Sequence, residues 1–148
     1  MAYLKLLLVD DEERFVTTTK TLLEKKGVST LTAFNGRDAL KTLQEILVDV
    51  VVLDVKMPGM DGVDVLREIK KEHPLVEVIM LTGHASVESA IEGLKLGAFD
   101  YLMKPCDISD LLEKVNEAFE KKEAAEEKIR QAKLKKIIRR PTAVFEED

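Results

Sequence analysis

Short, uninterrupted apolar runs recur along the chain, separated by stretches of mixed polarity. Continuous apolar character is typical of parallel strands that are covered on both faces of their sheet. A more polar run over residues 28–34 predicts an edge strand instead. The runs that predict buried strands cover residues 6–9, 50–53, 78–81 and, as the weakest of them, 101–103.

Between these runs, apolar residues return every three or four positions, which is the period of an amphipathic helix. Asp61, Ser86 and Asp107 stand where helix caps are expected, and Gly27 and Gly97 stand where helices should end. The order strand–helix repeats five times, which predicts an α/β fold with a doubly wound parallel sheet. The periodic positions are Phe15, Thr19, Leu22 and Leu23; Ala39, Leu40, Leu43 and Leu47; Val63, Val65, Leu66 and Ile69; Val87, Ala90, Ile91 and Leu94; and Leu111, Leu112, Val115 and Phe119.

The fifth predicted helix is longer than the others, because no clear break interrupts residues 107–140 before Pro141. Beyond Phe119 its apolar pattern thins to a weak, Ala-rich stripe. We therefore predict one domain over residues 1–120, followed by a helical extension or linker and a flexible end over residues 121–148. A solvated helix and a dimerising coiled coil both remain open for the extension. The stripe comprises Ala125, Ile129, Ala132 and Lys136.

Composition narrows the choice of function. Residues 1–120 carry 14 basic and 22 acidic side chains, a net charge of −8, and residues 121–148 carry 9 and 6, a net charge of +3. An acidic body argues against nucleic-acid binding by residues 1–120. The apolar runs are too short to span a bilayer, and the N-terminus lacks the basic region of a signal peptide. The single cysteine, Cys106, allows no internal disulfide, so we expect a cytoplasmic protein without membrane contact.

Polar residues with related chemistry end the predicted strands. Asp10 and Asp11 end the first, Asp54 the third, Thr82 the fourth and Lys104 the fifth. The carboxyl ends of parallel strands form the edge where ligands bind in open α/β sheets. Clustered carboxylates repel one another, and Mg²⁺ would relieve that repulsion. With a lysine and a hydroxyl nearby, the edge suits a phosphoryl group, and one carboxylate could act as its nucleophile.

The motifs that carry these residues resemble the receiver domain of bacterial two-component response regulators. They are DD at 10–11, LDVKMPGMDG around Asp54, LTGHAS around Thr82, and GAFDYLMKP ending at Lys104 and Pro105. The resemblance covers about residues 4–120 in matching order. It implies five helices around a five-stranded parallel sheet in the order 2-1-3-4-5.

The resemblance also implies a chemistry for each residue. Asp54 would accept a phosphoryl group from a sensor histidine kinase or a phosphotransfer protein. Asp11 would bind Mg²⁺ directly, Asp10 would help through water, and the backbone carbonyl of Lys56 would be a further ligand. Lys104 would pair with the phosphoryl oxygens. Such a domain catalyses only its own phosphorylation and dephosphorylation, and is otherwise not an enzyme.

The resemblance further implies a switch. Thr82 would move toward the phosphoryl group, Tyr101 would turn inward, and the Lys104–Pro105 bond would be cis. The face formed by the fourth helix, fifth strand and fifth helix would then bind a downstream protein, or a second copy in a phosphorylated homodimer. Lys56 and His84 flank the path of attacking water, so we hypothesise that they tune self-dephosphorylation.

Several other interpretations stay open on the residues alone. A Mg²⁺-dependent phosphatase with an aspartyl-phosphate intermediate is the main alternative, although Lys56 stands where such enzymes carry a second Asp. A binding module that has lost phosphorylation is less favoured because the five strand-end residues are intact. From sequence alone, Tyr101 is equally well an edge-strand aromatic, and Lys56 and His84 are ordinary exposed loop residues. We expect either a stand-alone receiver or a receiver and linker from a longer regulator.

Overall fold

The apolar runs pair into one parallel sheet, with helices packed on both of its faces. The computed structural model describes residues 4–83 and 86–139. Among these residues the sheet has five strands in the order β2-β1-β3-β4-β5, which confirms the predicted order 2-1-3-4-5. The strands are β1 (Lys5–Val9), β2 (Ser29–Ala33), β3 (Val50–Leu53), β4 (Glu77–Thr82) and β5 (Asp100–Met103), and the helices are α1 (Glu13–Lys25), α2 (Gly36–Glu45), α3 (Gly62–Glu72), α4 (Val87–Lys95) and α5 (Ile108–Arg139).

The central strands are apolar throughout because both faces of the sheet are buried. In β1, Leu7 and Val9 join the core beneath α2 and α3, whereas Leu6 and Leu8 join the core beneath α1 and α5. Successive strand residues point to opposite faces, so a strand between two helical layers needs an apolar residue at every position. The same rule accounts for β3, whose four residues are all buried.

The two edge strands differ from the buried centre. β2 is an edge strand, as its polar sequence predicts. The prediction of a buried strand over residues 101–103 is wrong, because β5 is the other edge and its residues are only partly covered. Met103 is 53% exposed. An apolar run therefore indicated a strand here but not its place in the sheet.

The predicted apolar stripe of α4 does not face the core. Val87 is 76% exposed, and Ile91 and Leu94 are about half exposed. Gly93 is the one buried residue of this helix. Periodicity identifies an amphipathic helix but does not state which side packs, and in α4 the apolar side is left to solvent.

Two other periodic apolar positions, one predicted in the first helix and one in the second, are also exposed. Leu22 lies on the outer side of α1, while Val16, Thr19 and Leu23 face the sheet. Leu47 lies beyond the end of α2 and is 96% exposed. The helix ends two residues earlier than its periodic pattern, so Leu47 has no helical face to share.

Helix boundaries follow the predicted caps. Asp61 accepts a hydrogen bond from a backbone N–H in the first turn of α3, and Ser86 does the same for α4. Gly27 and Gly97 have positive φ values of 88° and 105°, which end α1 and α4 without the steric cost of a side chain. Asp61, Ser86, Gly27 and Gly97 therefore mark helix ends as predicted.

Helix α5 is continuous over 32 residues. Leu111, Val115 and Ala118 bury its first half against the sheet. The extension from Lys121 onward leaves the body, and its side chains are mostly exposed after position 126. The predicted break at Pro141 and the tail lie outside the described residues.

Charged pairs fix α5 where it leaves the sheet. Lys122 Nζ lies 2.9 Å from Asp49 Oδ1, and Lys121 Nζ lies 3.6 Å from Glu77 Oε1. Asp49 Oδ2 also accepts the Lys5 backbone N–H at 2.8 Å. Because Asp49 and Glu77 stand at the amino-terminal ends of β3 and β4, these pairs tie the helix to the central strands.

None of the helices in the described part of the chain combines the length and apolar character needed to cross a bilayer.

Candidate functional site

Three carboxylates meet at the carboxyl-terminal edge of the sheet. Val9 pairs with Leu53 in neighbouring strands, so the next residues, Asp10 and Asp54, emerge side by side. Both side chains are buried, with 1% and 3% of their surface exposed, while Asp11 is exposed. One oxygen from each of the three carboxylates lies within 4.8 Å of the others.

The backbone holds the two buried carboxylates in place. The Asp54 N–H donates to Val9 O at 3.0 Å, and the Val55 N–H donates to Asp54 Oδ1 at 2.9 Å. The Glu12 N–H donates to Asp10 Oδ1 at 3.0 Å. Each carboxylate therefore has one oxygen oriented by a neighbouring amide, which limits the directions in which the group can turn.

Helix α3 begins directly against Asp54. A Cβ atom on Gly62 would lie 2.1 Å from the Asp54 carbonyl oxygen, and the Gly62 N–H donates to Val55 O at 2.6 Å. Any side chain at position 62 would push the strand end away. Gly62 is thus required by the position of Asp54, in addition to its place at the start of the helix.

Lys104 reaches the same edge from the end of β5. Its backbone N–H donates to Thr82 O at 2.9 Å, and the Lys104–Pro105 bond is cis, as the resemblance implies. Its Nζ lies 2.6 Å from Asp10 Oδ2 and 3.0 Å from Glu12 Oε1. The same Nζ lies 4.1 Å from the centroid of the Phe15 ring.

The Lys104 ammonium does not offset all of the negative charge of the carboxylates at this site. Burial raises the pKa of Asp10, and the nearby Asp54 charge raises it further, against the lowering effect of its hydrogen bonds from Lys104 and the Glu12 amide. Burial alone would lower the pKa of Lys104, but its hydrogen bonds to Asp10 and Glu12 outweigh burial and raise it. Among the described residues, Lys104 is thus the one ammonium beside the several acids of this site, and the carboxylate oxygens are suitable ligands for a hard divalent cation.

Thr82 and Tyr101 lie on the β4–β5 side of this edge. Thr82 ends β4 and is fully buried. Tyr101 is half-buried, its ring packs against the core, and its hydroxyl lies 3.0 Å from Ser89 Oγ.

The remaining predicted residues are less constrained. Lys56 lies in the loop after β3, and its side chain is exposed. His84 lies outside the described residues. The structure therefore brings together Asp10, Asp11, Asp54 and Lys104, with Thr82 at the neighbouring strand end.

Sequence reasoning missed three contacts at the site. Glu12 stands at the N-cap position of α1, but its side chain makes no cap hydrogen bond and binds Lys104 instead. Phe15 is predicted only as a periodic position of the first helix, whereas its ring also lies against the Lys104 ammonium. Ser89, which contacts Tyr101, carried no signal. These partners are 12 to 92 positions apart along the chain, so no local pattern could have paired them.

The doubly wound sheet in the order 2-1-3-4-5 defines a CheY-like α/β fold. Residues 6–116 match the sequence profile of the response regulator receiver domain. The match covers well over half of the chain, and the chain belongs to this family.

Individual relatives agree with this assignment. The regulatory protein AtoC of Escherichia coli (strain K12) is 41% identical over 107 residues, covering 72% of this chain and 23% of that protein. The chain thus spans about a quarter of the length of the curated relatives it matches. A receiver domain structure from Methanospirillum hungatei JF-1 is 32% identical, with a TM-score of 0.81, and covers 84% of this chain and 99% of that one.

A further structure, the beryllofluoride-activated NtrC4 receiver domain dimer, is 39% identical with a TM-score of 0.76. It covers 80% of this chain and 98% of that one.

Proposed function

We propose that this receiver domain is a phosphorylation-dependent switch in which Asp54 is the phosphoacceptor. The observation that carries the proposal is the buried Asp54 carboxylate, with oxygens of Asp10 and Asp11 within 4.8 Å of it. Lys104, bonded to Asp10, supplies the one ammonium group that the described residues direct into this cluster. Two buried acids and a third beside them, with one lysine among the three, are costly unless a ligand completes the site.

Asp10, Asp11, Asp54 and the backbone carbonyl of Lys56 would hold Mg²⁺. When bound, Mg²⁺ would supply positive charge that offsets the carboxylates and the oxygens of an incoming phosphoryl group. The raised pKa of Asp10 supports this assignment, because it reflects the burial and mutual repulsion that a cation would relieve.

Phosphoryl transfer would start from the phosphohistidine of a sensor kinase or phosphotransfer protein. An Asp54 carboxylate oxygen attacks phosphorus, and the phosphorus–nitrogen bond breaks as the phosphorus–oxygen bond forms. The histidine nitrogen leaves with the electron pair and takes up a proton. Lys104 then has phosphoryl oxygens as acceptors in addition to Asp10 and Glu12, which favours the product charge. No separate metabolite is turned over.

The new charge would bias a two-state equilibrium. Thr82 moves toward the phosphoryl group, Tyr101 turns inward, and the face of α4, β5 and α5 changes. The exposed apolar residues of α4 support that face as a docking surface for a downstream protein or a second copy. The named dimer of the NtrC4 receiver supports self-association after phosphorylation. Residues 1–120 form the phosphoacceptor domain of this cytoplasmic protein, and residues 121–148 form an extension or linker.

Lys56 and His84 would set the lifetime of the phosphorylated state. Both positions follow a site residue by two, and the exposed Lys56 side chain could reach either the phosphoryl group or solvent. Replacing each with alanine should change the rate at which labelled Asp54 loses its phosphoryl group. An unchanged decay rate in both variants would reject this role.

Labelling by a small-molecule phosphodonor tests the phosphoacceptor assignment. With acetyl phosphate and Mg²⁺, we expect the mass to rise by one phosphoryl group, and we expect no gain for Asp54→Asn or without metal. Sedimentation of the labelled and unlabelled protein tests the dimer. Continued turnover of small phosphomonoesters would favour a phosphatase, and no mass gain on the unmutated chain would overturn the proposal.

A further inference from the structure

Helix α4 is held to the body by few contacts. Gly93 is its one buried residue, and its apolar stripe faces solvent. The ion pair between Arg67 and Glu92 is long, at 3.9 Å, and both side chains are about half exposed. Since exposed pairs of this kind contribute little, the remaining contacts of α4 decide its position.

The side of α4 that faces β5 is shaped to receive Tyr101. Ser89 and Gly93 are four residues apart and therefore share one face of the helix. A Cβ atom on Gly93 would lie 4.0 Å from Tyr101 Cδ2, so the edge of the ring lies close to the glycine. The Tyr101 hydroxyl lies 3.0 Å from Ser89 Oγ. The ring thus extends along α4 from Gly93 to Ser89.

Ser89 also closes the first turn of α4. Its Oγ accepts the Ser86 backbone N–H at 3.3 Å and lies 3.1 Å from Ser86 O, and its own N–H donates to Ser86 Oγ at 3.0 Å. A hydroxyl has one donor and two acceptor positions, so these contacts and Tyr101 share a single group. The hydroxyl of Ser89 consequently joins Tyr101 to the cap of α4.

We infer that Ser89 is a positioning residue that holds Tyr101 in the orientation seen here and so opposes the switch. The inference rests on the proposed function. An inward turn of Tyr101 would break its bond to Ser89 and so remove the link between β5 and the first turn of α4. The chain therefore couples Tyr101 to α4 through one side chain that lies outside the phosphoryl site.

The ring of Tyr101 offers a direct readout that does not need phosphorylation. The sequence has two tyrosines, Tyr3 and Tyr101, so ¹³C-labelled tyrosine in a Tyr3→Phe background reports Tyr101 alone. In the unphosphorylated protein, Ser89→Ala should move the ring signals away from those of the unmutated chain. Ser89→Thr keeps a hydroxyl and should restore the original signals. Ser86→Ala removes the cap but keeps the Tyr101 contact, and it should move them less.

Labelling kinetics test the consequence. Removing one hydrogen bond should raise the population of the switched state roughly 3- to 10-fold, and the rate of labelling by acetyl phosphate by the same factor. Tyr101→Phe removes the same bond from the other side, so adding Ser89→Ala to it should have little further effect. Ser86→Ala should add to Tyr101→Phe.

The outcomes separate this inference from the proposed function. Unchanged ring signals in a folded Ser89→Ala protein, or additive effects of Ser89→Ala and Tyr101→Phe, would overturn the role of Ser89 while leaving the phosphoacceptor intact. Absence of labelling at Asp54 would reject the proposed function, and the ring signals would still show whether Ser89 positions Tyr101. Failure of Ser89→Thr to restore the signals would also count against the inference.

Discussion

Strand β3 carries an aspartate at each end, and the two have opposite surroundings. Asp49 precedes the strand and pairs with Lys122 at 2.9 Å and with the Lys5 amide at 2.8 Å. Asp54 follows the strand and meets other carboxylates within 4.8 Å. The same residue type thus fastens a helix at one end and forms part of an acidic cluster at the other.

The difference extends to the neighbouring strands. At the amino-terminal edge each acid has a lysine of α5 beside it, although Lys121 lies 3.6 Å from Glu77 Oε1, which makes no hydrogen bond. Burial alone would lower the pKa of Lys122, but hydrogen bonds to Asp49 and Glu126 outweigh burial and raise it. At the carboxyl-terminal edge the acids outnumber the lysine. Acids that are matched one to one by lysines are typical of a structural role, whereas an excess of buried acids over lysines indicates a place for a ligand.

The largest effect on stability should come from breaking the paired end. Asp49→Asn leaves Lys122, whose side chain is only 12% exposed, with Glu126 as its remaining partner. We expect a loss of about 1–3 kcal/mol in the free energy of unfolding, measured by urea denaturation. Labelling of Asp54 should continue at its normal rate. Lys128→Ala, on the exposed extension, is the control, and an equal loss in that variant would contradict the role of the pair.

At the acidic end of β3, by contrast, loss of a carboxylate should raise the free energy of unfolding when no metal is bound. Mg²⁺ at ten times its dissociation constant should stabilise the unmutated protein by about 1.4 kcal/mol. Asp54→Asn should be more stable than the unmutated chain without metal, by about 0.5–1 kcal/mol, because one repelling charge is gone. It should gain little from Mg²⁺. Equal gains for both proteins would show that the metal binds elsewhere, and Asp49→Asn should gain as much as the unmutated chain.

The smallest effect concerns pH: stability should fall as pH rises at both ends of β3, but over an acid range for Asp10 and an alkaline range for Lys122. The folded pKa of Asp10 lies above its ordinary 3.8, so without metal its contribution to stability falls as pH rises from about 3.8 through that folded value. The folded pKa of Lys122 lies above 10.5, so its contribution is complete below 10.5 and is lost as pH rises through the folded value. Asp10→Asn should remove the acid dependence and Asp49→Asn the alkaline one. Unchanged pH profiles of unfolding would contradict these assignments.

Much of this arrangement follows from local sequence, and the rest does not. The acids at 10, 11 and 54 follow apolar runs, so their meeting at one sheet edge was predictable once the strands were taken as parallel. The order of the strands needed the resemblance to a known family. The pairing of Asp49 with Lys122 joins residues far apart along the chain, and no periodicity marks it. The sequence did not predict that the apolar stripe of α4 faces solvent, because an amphipathic pattern does not state which side of the helix packs against the sheet.

The ion pair at Lys122 also fixes one point of α5, so that a tilt of the helix about this point displaces its far end. Beyond this anchor the helix continues to Arg139, a reach of about 25 Å at 1.5 Å per residue. Each degree of tilt at the anchor would then displace the far end by roughly 0.4 Å, given that reach. Asp49 and Asp54 lie at the two ends of the same four-residue strand. A small rotation of β3 would therefore produce a larger displacement at the carboxyl-terminal end of α5.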